Sequence, residues 1–142
     1  MILTCNLEGK SLAAFVKAVG KEIVGIALSG VPDDTDKDEL YIHFKDNSYI
    51  KILDDMQSCC EHRYMTTDDK LDEYIGGSLL NIEVKPIPIP LSEYGDDNPN
   101  TEREIEFLEV TTTKGSFVIV NHNDHNGYYG GFNVEITYGE RA

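Results

Sequence analysis

The sequence predicts an α+β domain that is mainly antiparallel sheet, with about seven or eight strands and one or two short helices. Three observations lead there. Short runs of alternating apolar and polar residues recur along the chain, separated by turn residues. Two junctions, Lys45-Asp46-Asn47 and Lys114-Gly115, have the composition of hairpin turns. Helical periodicity is confined to "SLAAFVKAV" and to a short acidic stretch, "TDDKLDEYIGG".

"MILTCNL" reads as a short first strand. In "GKSLAAFVKAVGKE" Ser11 is placed to cap a helix, Leu12, Phe15, Val16 and Val19 form its apolar stripe, and Gly20 stops it. "EIVGIAL" returns to β character, and "SGVPDDTDKDEL" is a polar loop. "ELYIHF" and "SYIKIL" make the first hairpin, with Leu40, Ile42 and Phe44 on one face and Tyr41, His43 and Lys45 on the other. "CCEHRYMT" is a strand that directs Cys60 and His62 to one face and Cys59 to the other. Thr67 or Asp68 is expected to cap one or two helical turns that end at Gly76-Gly77. "SLLNIEV" is a strand. Residues 86–101 follow as a Pro-rich arm and exposed loop, where alternating prolines remove backbone donors. "REIEFLEVTT" and "SFVIVNH" form the second hairpin, and "GYYGGFNVEITY" is the last strand. A chain of 142 residues without internal repeats fits one domain, 1–142.

Lys and Arg number 12 against 26 Asp and Glu, a formal net charge of -14. Nucleic-acid backbones and anionic membranes need clustered cations, so neither is an expected direct partner. The charge serves solubility or attracts a basic protein by long-range steering. Cys5, Cys59 and Cys60 are odd in number, and neighbouring Cα atoms ~3.8 Å apart are too close for an unstrained disulfide. Reduced thiols in a cytoplasm are the expectation. No secretory signal or apolar run of ~18 residues is present.

Read in order, "GKEIVGIAL", "DELYIHFKDNSYIKI", "QSCCEHRYM", "DDKLDEYIGGSLLNIE", "EFLEVTTTKGSFVI" and "NGYYGGFNVEI" form a series. It resembles a family of bacteriophage and prophage proteins of unassigned activity. The series covers about Lys21 to Ile136. The helix of Ser11 to Val19, the Pro-rich arm and "HNDH" depart from its pattern. The resemblance implies an origin and no chemistry: a small phage accessory protein in the bacterial host cytoplasm, of a kind that modulates the host, its antiviral defences included.

Several constellations compete for function. Cys59, Cys60, His62, His122 and His125 carry zinc-ligand types, but their spacing matches no standard zinc motif. The plainer reading is a buried cysteine beside solvated histidines, and no metal or other cofactor is expected. A nucleophilic cysteine would need a cationic setting, which Glu61 opposes, so no catalytic residue is assigned. Asp34, Asp36 and Asp38 keep the first spacing of a calcium loop without its glycine. No phosphate-cradling glycine motif occurs. In "NGYYGGF", Tyr128, Tyr129 and Phe132 offer faces for stacking a base, with Arg63, Arg103 or Arg141 for a phosphate. The plainer reading there is a glycine-kinked strand with core aromatics.

Acidic residues are the remaining group. Asp33, Asp34, Asp36 and Asp38 crowd one loop. Asp68, Asp69, Asp72 and Glu73 crowd the acidic turn. Glu102, Glu104 and Glu106 fall on one strand face at ~6.7 Å intervals. Such rows imitate a phosphate backbone. The leading expectation is therefore a non-enzymatic inhibitor that binds a basic host defence or nucleic-acid-processing protein. The alternatives are a protein that sequesters a small nucleotide and, third, a metal-dependent or cysteine hydrolase. The Pro-rich arm hints at self-association.

Overall fold

The structure is a computed structural model and describes residues 7–29, 38–54, 61–86, 102–125 and 132–141. Alternating side chains build its strands: β1 Ile23–Ser29, β2 Glu39–Phe44, β3 Ser48–Asp54, β4 Glu61–Thr66, β5 Leu79–Pro86, β6 Glu102–Thr112, β7 Gly115–His125 and β8 Val134–Glu140. They form two antiparallel four-stranded sheets, ordered β1-β2-β3-β8 and β4-β7-β6-β5. The mainly antiparallel α+β class read from the sequence is the class observed.

Both sheets feed one core. Leu40, Ile42, Phe44, Ile50, Ile52 and Ile136 come from the first; Ile82, Leu108, Val110, Phe117 and Ile119 come from the second. Burying a side chain of this size contributes about 1.5–3 kcal/mol, so the shared core is the main term holding the sheets together. The inward set is the one that period-two alternation requires. The first hairpin turns at Asn47, whose φ of 71° suits asparagine. Asp46 accepts the Ser48 N–H at 3.0 Å. It also pairs with Lys21, which donates to Tyr138 Oη at 2.8 Å.

The helix differs from its expected form. α1 spans Gly9–Ala18 and begins ahead of Ser11. Ser11 Oγ instead accepts the N–H of Ile136, an outward-facing group on edge strand β8, at 3.0 Å. Packing along β8 and β3 buries Ala14, Phe15 and Ala18, while Leu12 and Val16 stay 39% and 57% exposed. Two stripes were available at helical spacing, and the smaller-residue stripe lets the helix approach the sheet closely.

The acidic segment is a single 3-10 turn, Leu71–Tyr74, with no side-chain cap. Thr67 and Asp69 serve the sheet instead: Thr67 donates to the Val118 carbonyl at 2.8 Å, and Asp69 accepts the Val118 N–H at 2.7 Å. They satisfy β7 beyond the end of β4. The expected first strand falls mostly on residues 1–6, and the Pro-rich arm on 87–101. Both lie outside the described residues.

Strand direction gives the molecule two unlike ends. The tight turns at 45–47 and 113–114 lie at one end, with the α1–β1 link and the 3-10 turn. The strand ends that flank 30–37, 55–60, 87–101 and 126–131 all lie at the other, together with the start of α1. The Cys-Cys and Asn-Gly-Tyr-Tyr segments thus attach at the same end of the fold.

Candidate functional site

At this end the inner face of the second sheet turns from apolar to polar. Along β7 the inward residues run Phe117, Ile119, Asn121, Asn123, and both asparagines are buried. Asn123 lies between Arg63 of β4 and Glu104 of β6; Asn121 lies between Met65 and Glu106. Arg63 donates from Nη1 to Asp54 Oδ1 at 2.8 Å, and both side chains are buried. The same Asp54 oxygen accepts the Asn133 N–H at 2.6 Å. The last residue of β3 therefore ties both sheets and the approach to β8 together. Neither amide atom of Asn121 has a hydrogen-bond partner among the described residues. A buried amide left so is costly and marks a site or an enclosed water.

A cleft of about 700 Å³ opens beside this cluster. Glu8, Lys10 and Ser11 wall it from the start of α1, Val84 and Glu106 from the second sheet, and Phe132 from the approach to β8. Glu135 also lines it. The volume suits a small molecule or one or two side chains of a partner. Glu106 is half-buried, and its carboxyl is pushed up to about 7, first by burial and then by the neighbouring charges of Asp54 and Glu104. A carboxyl so placed holds a proton near neutral pH or, ionised, favours a nearby cation.

This shift carries a prediction. The folded form binds the proton more tightly than the unfolded chain, so the cost of ionising Glu106 is absent below about 4.5 and grows until pH passes about 7. Glu106→Gln should then raise stability by about 1–2 kcal/mol at pH 8, after allowance for solvent screening, and change it little at pH 4. Urea unfolding at the two pH values measures the difference.

The cleft brings together two residues proposed on different grounds, Glu106 and Phe132. Other candidates are placed apart. Arg63 is neutralised by Asp54 inside the protein, which corrects its assignment to a ligand phosphate. Glu104 and Glu106 sit half-buried on the inner face and do not form an open carboxylate row. Asp38 accepts the Met65 N–H at 2.8 Å, and Asp69 is held by Val118, so both cap strand edges. Asp68, Asp72 and Glu73 are exposed at the opposite end of the molecule from Glu106. Among the described residues the acidic candidates thus lie at two ends of the molecule and not on one surface. Asp33, Asp34, Asp36, Cys59, Cys60, Tyr128 and Tyr129 lie outside the described residues, as do the side chains of Glu102, Arg103 and His125.

Two of the four histidines meet at Tyr64. His62 and His122 lie on either side of the Tyr64 ring, at centroid distances of 4.7 and 4.3 Å. His122 Nε2 meets Thr66 Oγ1 at 2.8 Å. Among the described residues no three His, Cys, Asp or Glu side chains gather to hold a metal ion. No helix among them is long and apolar enough to cross a membrane.

The Asp54–Arg63 pair and the two buried asparagines were missed in the sequence. The signal was present for the asparagines, because the alternation Phe117, Ile119 continues directly into Asn121 and Asn123. Residues 16–134 match a family described as a domain of unknown function, DUF7448. No curated protein and no solved structure matches the chain.

Proposed function

The chain belongs to the DUF7448 family, so its role is read from its own geometry: we propose a non-enzymatic binding protein that captures a basic protein partner at the loop-bearing end. The observation that carries this reading is the acid-rich lining of the cleft, and four of the cations are engaged elsewhere. Lys21 is held by Asp46, Arg63 by Asp54, Lys85 by Glu109 at 3.1 Å, and Lys114 by the Ile75 carbonyl at 2.8 Å. The chain has a net charge of -14, and Glu8 and Glu135 are exposed carboxylates at the cleft. A partner lysine or arginine entering the cleft would meet Glu8, Glu106 and Glu135 against Lys10 alone.

The likeness to bacteriophage and prophage proteins supports a host defence or nucleic-acid-processing protein as the partner, met in the bacterial cytoplasm. The basic groove of such a protein ordinarily holds a phosphate backbone, and carboxylates would occupy it by competition. The test is binding of the purified protein to basic host nucleases and defence effectors at two salt concentrations. The reading expects complexes that weaken steeply between about 50 and 200 mM salt and that duplex DNA displaces. Glu106→Gln and Glu135→Gln together should weaken them further. Complexes indifferent to salt and DNA would refute it.

A further inference from the structure

The outer face of the first sheet carries a second site, centred on β2 and β3, which adjoins the cleft at Thr137 of β8. Tyr41 and His43 of β2 and Tyr49 of β3 form a triangle of rings. Tyr41 and His43 lie 5.9 Å apart and nearly parallel, at 5°; Tyr49 is 6.2 Å from Tyr41 and 5.9 Å from His43. All three are half-exposed. Each flank is lowered by a glycine within a strand. A Cβ at Gly139 would meet the Tyr49 ring at 2.5 Å, so this ring lies directly over the β8 backbone. A Cβ at Gly25 would meet His43 on the β1 side at 3.6 Å, an ordinary contact, so the close approach is at Gly139 alone. Ala27 and Thr137 keep the remaining surround low. Glycine inside a strand weakens it and can mark a close approach. Here the approach is made by the partly exposed Tyr49 ring.

In a strongly acidic chain this face is mixed in charge: Glu39 of β2 and Glu135 of β8 share it with two cations. Lys51 stands between Tyr41 and Thr137 in the register. Arg141 is anchored by its N–H to the Asn47 carbonyl at 2.8 Å, and its Nη2 reaches His43 Nδ1 at 2.7 Å. Glu39 is engaged by the Tyr41 hydroxyl. We propose that the Tyr41–His43–Tyr49 face binds a mononucleotide, the base stacked on the rings and the phosphate held by Arg141 and Lys51. One phosphate matches two cations. A polynucleotide would meet the repulsion of a chain of net charge -14. This inference does not rest on the basic-partner reading, which concerns the cleft and its carboxylates.

The test is a heteronuclear NMR titration of the full chain with adenosine 5′-monophosphate, adenosine and an oligothymidylate. Expected are shifts at Tyr41, His43, Tyr49, Lys51 and Gly139 that saturate with a Kd of about 0.1–1 mM. Tyr49→Ala should weaken binding about tenfold while Tyr49→Phe retains it, as for a stacked base. Arg141→Ala, an exposed residue beyond the last strand, should reduce the nucleotide's affinity to that of adenosine without disturbing the sheet. No shift by about 10 mM nucleotide, shifts centred on Glu106 and Phe132, or tighter binding of the oligonucleotide would each overturn the proposal.

Discussion

Arg63→Ala is expected to destabilise the fold by about 3–5 kcal/mol. The guanidinium is buried on the inner face of β4 and meets Asp54 at 2.8 Å. Its removal strands a carboxylate that is itself buried and that also holds the Asn133 N–H. Neither group can recover water without opening the end of the core. The penalty should appear as a fall in melting temperature of roughly 10 °C for a chain of this size. The comparison that isolates the charge is Arg63→Met combined with Asp54→Leu. Replacing both partners with apolar groups should recover most of the loss, because the cost lies in the unpaired charge and not in the absence of a strong bond. A double variant as unstable as Arg63→Ala alone would mean that shape, not charge, governs this position.

Phe15→Ala should cost about 3–5 kcal/mol as well, through the cavity it leaves. Phe15 is fully buried and anchors α1 against β8 and β3. The effect extends to the cleft, because Glu8, Lys10 and Ser11 wall it from the same helix. Loosening α1 should speed hydrogen exchange at the Ile136 amide, now held by Ser11. Phe15→Leu keeps most of the volume and should cost less than about 1.5 kcal/mol. Partner capture should follow the same order, with Phe15→Ala impaired and Phe15→Leu near wild type. Equal capture by all three would separate the helix from the binding surface.

Much of the fold was legible because strand alternation is a local property. Leu40, Ile42 and Phe44 face inward because they alternate with Tyr41, His43 and Lys45, and no distant residue is needed to see it. The turn at Asn47 is legible for the same reason. The helix was only half legible. Its sequence offers two apolar stripes, and the choice between them depends on β8, more than a hundred residues away. The acidic turn was legible in place and length but not in its cap, since Thr67 bonds to Val118, as Asp69 does, in preference to a helix start. Side-chain oxygens of this type serve a helix or a sheet edge equally well.

The candidate site was legible in part and for a related reason. Glu106 and Phe132 were singled out separately, one for its charge and the other for its ring. Their meeting in one cleft follows from the pairing of β5 with β6 and from the course of α1. Burial then changes what Glu106 is, from a surface charge to a carboxyl that titrates near 7. No neighbour in the sequence could signal this, because Asp54 lies on the other sheet.

By itself the sequence determined the class of fold, the inward and outward residues of its strands, and the strong excess of negative charge. These follow from period, turn chemistry and composition, which act over a few residues or over the whole chain. Only the tertiary structure decided which carboxylates remain outward, that Arg63 is neutralised internally, and that a strand glycine, Gly139, underlies the ring platform. Those outcomes depend on distances between residues far apart in the chain, where desolvation and ion pairing act over a few ångströms and are set by sheet register.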